Sequence, residues 1–143
     1  MATTFTPEQD AAIASVGKTI VSASAGSGKT TVMIEKIIRL ICSGVDVQDI
    51  LAVTFTKKAA SQMKEKLAKA LIKAINSKDC APENKARLKK QLGEVATANI
   101  STIHGFCSRL LKTNFYLAGV DNAFRVIGTD DAETTALKNQ ALD

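Results

Sequence analysis

Between residues 29 and 43 the apolar positions Val32, Ile34, Ile37, Ile38 and Ile41 return every three or four residues, the period of a helix with one buried face. Gly44 follows and predicts its end. A second helical stripe, Ala60, Met63, Leu67, Leu71 and Ile75, runs through a lysine-rich stretch. Pro82 then predicts a break, with a shorter polar helix over residues 83–92. Three short apolar runs lack helical spacing: residues 19–23 (TIVSA), residues 50–55 (ILAVTF), and a stretch near residues 95–101. They predict strands, the second buried on both faces. At the N-terminus Thr6, Pro7 and Gln9 form a capping signature for a helix over residues 7–16, ended by Gly17. A helix over residues 103–117, with Phe106, Leu110 and Phe115 inward, completes the pattern. Residues 124–128 (FRVIG) predict a strand, followed by a helix that runs to Asp143, so that the chain reads as cut rather than finished. Strands alternating with helices predict βαβ units, and hence an α/β domain built on a parallel sheet flanked by helices, with right-handed crossovers.

Composition adds a size and a charge. A chain of 143 residues with 45% hydrophobic residues is long enough for one packed core. The net charge is +5, but residues 57–112 hold thirteen basic side chains against four acidic ones, so that this stretch is +9 and the remainder −4. Such a stretch suits a phosphate-backbone partner, and a solvated lysine face explains it equally. Cys42, Cys80 and Cys107 are odd in number and lack C-x-x-C spacing, which argues against a disulfide framework or zinc ribbon and for a reducing, cytoplasmic compartment. The first residues carry no basic flank with an apolar run, and no eighteen apolar residues occur together; neither export nor a membrane partner is expected.

The sharpest chemical signal is residues 23–30, ASAGSGKT: Ala23, Ser24, Ala25, Gly26, Ser27, Gly28, Lys29 and Thr30. It fits the phosphate-loop pattern G-x-x-x-x-G-K-[ST] with alanine for the first glycine. Gly26 and Gly28 allow the backbone to turn its N–H groups inward on a phosphate, and the following helix presents its positive end there. Lys29 supplies a charge to the β- and γ-phosphates, and the Thr30 hydroxyl is the expected Mg²⁺ ligand. Thr31 joins the nucleotide-binding set. The expected cofactors are therefore ATP and Mg²⁺.

Three more segments share a resemblance. Residues 5–13 (FTPEQDAAI), 51–67 (LAVTFTKKAASQMKEKL) and 101–111 (STIHGFCSRLL) resemble the Q motif, motif Ia and motif Ib of superfamily 1 DNA helicases of the UvrD/Rep type, in the same order around the phosphate loop. The loop written A-S-A-G-S-G-K-T, with Ser24, is similar to that of the helicase–nuclease branch, the AddA/RexA and RecB subunits. The resemblance implies a partial RecA-like, P-loop motor domain over residues 1–143, part of an ATP-dependent 3′→5′ helicase or helicase–nuclease of double-strand-break repair. It places Gln9 against the adenine edge. It assigns Thr54, Phe55, Thr56 and Lys57, together with Thr102, Ile103, His104 and Gly105, to single-stranded DNA. It also implies a second subunit of the AddB/RexB type.

The composition alone leaves a stand-alone nucleotide-binding switch module open as the alternative. Phe55 reads equally as a core residue, and His104, the single histidine, has no companion at metal-ligand spacing. Asp130, Asp131 and Glu133 imitate the acidic motif that follows a later strand in such motors, but the apolar run before Gly128 is too short and the glutamate is displaced. The expectation is a chain that binds nucleotide far better than it hydrolyses it.

Overall fold

The computed structural model describes residues 4–78, 80–121, 123–124 and 132–141. The chain divides into two compact units, residues 1–103 and 104–143.

In the first unit, α1 (Pro7–Ala14) begins as its capping signature predicts. The Thr6 hydroxyl accepts from the Gln9 backbone N–H, and the Gln9 side chain accepts from the Thr6 backbone N–H. It ends two residues earlier than expected, at Ala14. Helix α2 (Lys29–Cys42) buries Ile34, Ile37 and Ile41, and α3 (Lys57–Ile75) buries Ala60, Met63, Leu67 and Leu71. Helix α4 (Pro82–Glu94) is longer than expected at both ends, with proline in its first turn, where a missing N–H costs nothing. Strands β1 (Ala52–Thr54) and β2 (Ile100–Thr102) pair in parallel, Ala52 opposite Ile100 and Thr54 opposite Thr102. Helix α3 packs on both strands and on α2 and α4, so that Ile41, Leu67, Leu71 and Leu88 are all but inaccessible.

The structure corrects several strand expectations. Residues 19–23 form no strand, and Ile20 is 98% exposed. An apolar β-branched run needs a neighbour to accept and donate ladder bonds, and the described sheet stops at two strands. Strand β1 is buried on one face only: Ala52 lies in the core, while Leu51 and Val53 are nearly half exposed. Strand β2 starts at Ile100 because residues 95–98 are consumed by a tight turn after α4, in which Thr97 N–H bonds Glu94 O and Ala98 N–H bonds Val95 O.

A polar network ties α4 to the end of α2. Buried Gln91 accepts from Val47 N–H at 2.5 Å and donates to Asp46 Oδ1 at 3.0 Å. Arg87 donates to Ile41 O at 2.7 Å and to Asp46 Oδ1 at 2.8 Å. Each of these side chains has a partner, so burial there costs little. Arg87, read from sequence as one of the charges of a basic helix, is thus a C-terminal clamp on α2.

In the second unit α5 (Ile103–Thr113, its first residue belonging to the first unit) and α6 (Phe115–Ala118) replace the single expected helix. The break falls at Asn114, whose side chain donates to Leu110 O at 2.9 Å and competes with the helical ladder. Gly119, at φ +65, ends α6. Leu110 is half exposed rather than inward, and α5 buries no residue. Helix α7 (Ala132–Gln140) follows. The expected strand over residues 124–128 and the acidic residues Asp130 and Asp131 lie outside the described residues, apart from Phe124. No helix among the described residues is long and apolar enough to cross a membrane.

Candidate functional site

The phosphate loop adopts the conformation its glycines allow. Gly26 and Gly28 stand at φ +80 and +85, where a side chain would be strained. Gly28 is the N-cap of α2 and gives it no side-chain cap. The first ladder bond of α2 is Val32 N–H to Gly28 O, at 3.0 Å. The N–H groups of the preceding helical residues, Lys29, Thr30 and Thr31, therefore have no intrahelical acceptor, and they carry the positive end of the helix dipole.

Side chains complete the loop. The Lys29 ammonium folds back to donate to Ala23 O at 3.0 Å and Ser24 O at 2.6 Å, which holds its charge within the loop rather than in free solvent. Ser27 Oγ is buried without a hydrogen-bond partner. A buried hydroxyl left unpaired is costly, and an incoming acceptor would satisfy it. Thr30 and Thr31 are exposed in the first turn of α2, and Ala25 is exposed in the loop.

Helix α1 stands beside the loop. Gln9 Nε2 donates to Ser27 O at 3.0 Å, a contact that sequence reasoning missed because it joins residues eighteen positions apart. Lys36 of α2 donates to Ile13 O, Ser15 O and Ser15 Oγ, satisfying the carbonyl end of α1, and Arg39 pairs with Asp10 at 3.3 Å. Between α1, the loop and α2 lies a cavity of about 660 Å³, lined by Gln9, Ala12, Val21, Ser24, Ser27, Lys29, Val32 and Met33 among others. That volume is in the range of small-molecule and cofactor sites. The residues present fit a nucleotide triphosphate: unpaired donors at one wall, a cation, and an apolar remainder suited to a base.

The other expected contacts gather at the carboxyl ends of the two strands. Thr54 and Thr102 are register partners at the ends of β1 and β2. Thr54 Oγ1 donates to Thr56 O at 3.0 Å, and Thr56 caps α3 by accepting from Ala59 N–H at 3.0 Å. This short knot pushes Phe55 out of the fold, and its ring is fully exposed, so the reading of Phe55 as a core residue is excluded. Lys57, the first residue of α3, and Ile103 are exposed too. His104 and Gly105 belong to the second unit, in the first turn of α5, and are exposed.

Known proteins share this pattern along almost the whole chain. The profile of the UvrD/REP helicase N-terminal domain family matches residues 5–142. An ATP-dependent helicase/nuclease subunit of Ligilactobacillus salivarius is 44% identical over 140 residues, 97% of this chain and 11% of the relative. The protein of the same name from Lactobacillus gasseri is 45% identical over 141 residues, 98% of this chain and 11% of its own length. That of Enterococcus faecalis is 44% identical over 124 residues, 87% of this chain and 10% of its own length. The chain thus spans about a tenth of the length of the curated relatives it matches.

Proposed function

The chain belongs to the UvrD/REP helicase N-terminal domain family, and from that membership we propose that it is the ATP-binding portion of a DNA helicase or helicase–nuclease. The family implies a P-loop helicase fold, with which the α-rich first unit and its two-stranded parallel sheet agree. The finer reading is a partial RecA-like motor domain over residues 1–143 that carries the Q motif, the phosphate loop and motifs Ia and Ib. The observation that supports it best is the uncapped N-terminus of α2 opening on the cavity between α1 and α2.

In this reading the N–H groups of residues 26–31 hold the phosphates, Lys29 exchanges the carbonyls of Ala23 and Ser24 for phosphate oxygens, and Thr30 Oγ1 holds Mg²⁺. Bound Mg–ATP supplies the phosphoryl transfer that powers translocation. The cavity wall of Ala12, Val32 and Met33 shelters the base from water. Single-stranded DNA lies on Thr54, Phe55, Thr56, Lys57, Thr102 and Ile103, with His104 and Gly105 offering first-turn N–H groups to a phosphate. Stacking of a base on the exposed Phe55 ring gives binding that is tolerant of sequence. The relatives' shared name, which makes each of them one subunit of an ATP-dependent helicase/nuclease, supports work in double-strand-break repair in the cytoplasm beside a second subunit of the AddB/RexB type.

The test is ATP hydrolysis by a protein carrying this chain at full length, with and without single-stranded oligonucleotide. Stimulation by the oligonucleotide, abolished by Lys29→Ala, is expected. Hydrolysis indifferent to DNA would favour the stand-alone switch module instead.

A further inference from the structure

Gln9 is engaged at both ends of its amide. Oε1 accepts from the Thr6 backbone N–H at 3.0 Å, and Nε2 donates to Ser27 O at 3.0 Å. A Cβ built on Gly28 would come within 3.1 Å of that same Nε2, so the glycine also makes room for the amide. The helix that carries Gln9 is itself fixed on α2 through Lys36 and Arg39. Gln9 is therefore a short strut from an anchored helix to the peptide that joins Ser27 and Gly28.

The orientation of that peptide matters. No peptide bond among the described residues is cis, and in a trans peptide the C=O and the following N–H point in opposite directions. Holding Ser27 O toward Gln9 turns the Gly28 N–H away from Gln9. Gly28 is the N-cap of α2, so this N–H precedes the unpaired donors of the first helical turn. A loop residue with φ near +85 and no side chain to restrain it has wide conformational freedom when unsupported. Fixing one peptide plane in advance removes part of the ordering cost of anion binding.

We propose that Gln9 is a positioning residue for the phosphate loop: through Ser27 O it presets the donors that receive a polyphosphate, independently of any base. The proposal rests on the nucleotide reading above and deepens it, since a residue that recognises only adenine contributes nothing to a ligand without a base. The strut also restricts adenine reading, because both polar atoms of the amide are already used in this arrangement.

The probe is inorganic tripolyphosphate, titrated calorimetrically beside ATP into the chain and into Gln9→Met, which keeps the length of the side chain and loses the donor. A fall of about three- to tenfold in tripolyphosphate affinity is expected, the span of one hydrogen bond, with at least the same fall for ATP. Thr6→Ala serves as the control, because it weakens the α1 cap and leaves Gln9 Nε2 and Ser27 O in place; its tripolyphosphate affinity should match the parent. A loss for ATP alone in Gln9→Met would make Gln9 a base reader and overturn the proposal. An equal loss in Thr6→Ala would reduce the effect to fraying of α1 and overturn it too. Failure of the parent chain to bind either ligand would instead remove the nucleotide reading on which the proposal stands.

Discussion

At the scale of single residues, the glycines and Lys29 were legible because the chemistry of a phosphate cradle demands those residue types at fixed spacing, and Gly26 and Gly28 do adopt the positive φ that such a turn needs. Gln9 was legible as a helix cap and not as a strut, since nothing in local spacing announces a bond to Ser27. Arg87 was misread for the same reason: its partners, Ile41 and Asp46, lie more than forty positions upstream. Replacing Arg87 with Met leaves a carbonyl and a carboxylate short of a donor. Urea unfolding should show a loss of about 1.5–3 kcal/mol, the range for hydrogen bonds to charged groups. Phe55 makes the opposite prediction. Its exposed ring packs against nothing, so Phe55→Ala should leave the melting temperature unchanged while weakening binding of a labelled single-stranded oligonucleotide by about 1–3 kcal/mol in fluorescence anisotropy.

At the scale of elements, the amphipathic helices α2 and α3 announced themselves because their buried stripes are long and periodic. The strands were harder. A run such as residues 19–23 carries β-branched residues, but a strand exists only where a second backbone pairs with it, and that is not a local property. The Asn114 break was missed because the apolar spacing continues across it while the side chain diverts the ladder. Two caps give tests. Thr56→Ala removes the acceptor for Ala59 N–H, and a thermal melt should show α3 and its core destabilised by about 0.5–2 kcal/mol. At α1 the carboxyl of Glu8 is held below its ordinary value of 4.5, first by its own backbone N–H and then by the Thr6 hydroxyl. A depressed carboxyl stabilises the folded state above its unfolded pKa and loses that contribution as the pH falls through the folded value. The acid limb of the melting curve should therefore be shallower in Glu8→Gln than in the parent, when melts are followed by circular dichroism from neutral pH downward.

For the whole molecule, charge and site act together. The stretch from residue 57 to 112 carries the +9 excess, and it begins at the strand-end loop that exposes Phe55. Oligonucleotide affinity should accordingly fall steeply with salt, with a logarithmic slope of about −0.7 per neutralised phosphate, and mutation of Phe55 should leave that slope unchanged because a ring releases no counterions. The phosphate loop remains the centre of the molecule's proposed work, and a calorimetric titration of Mg–ATP into the chain and into Lys29→Ala tests it most directly. The contacts of Lys29 to Ala23 O and Ser24 O are exposed, so the variant should melt as the parent does. One-site binding by the parent, weakened by about 2–3 kcal/mol in the variant, is the predicted result. Equal affinity in the two chains, or no binding by the parent, would contradict it.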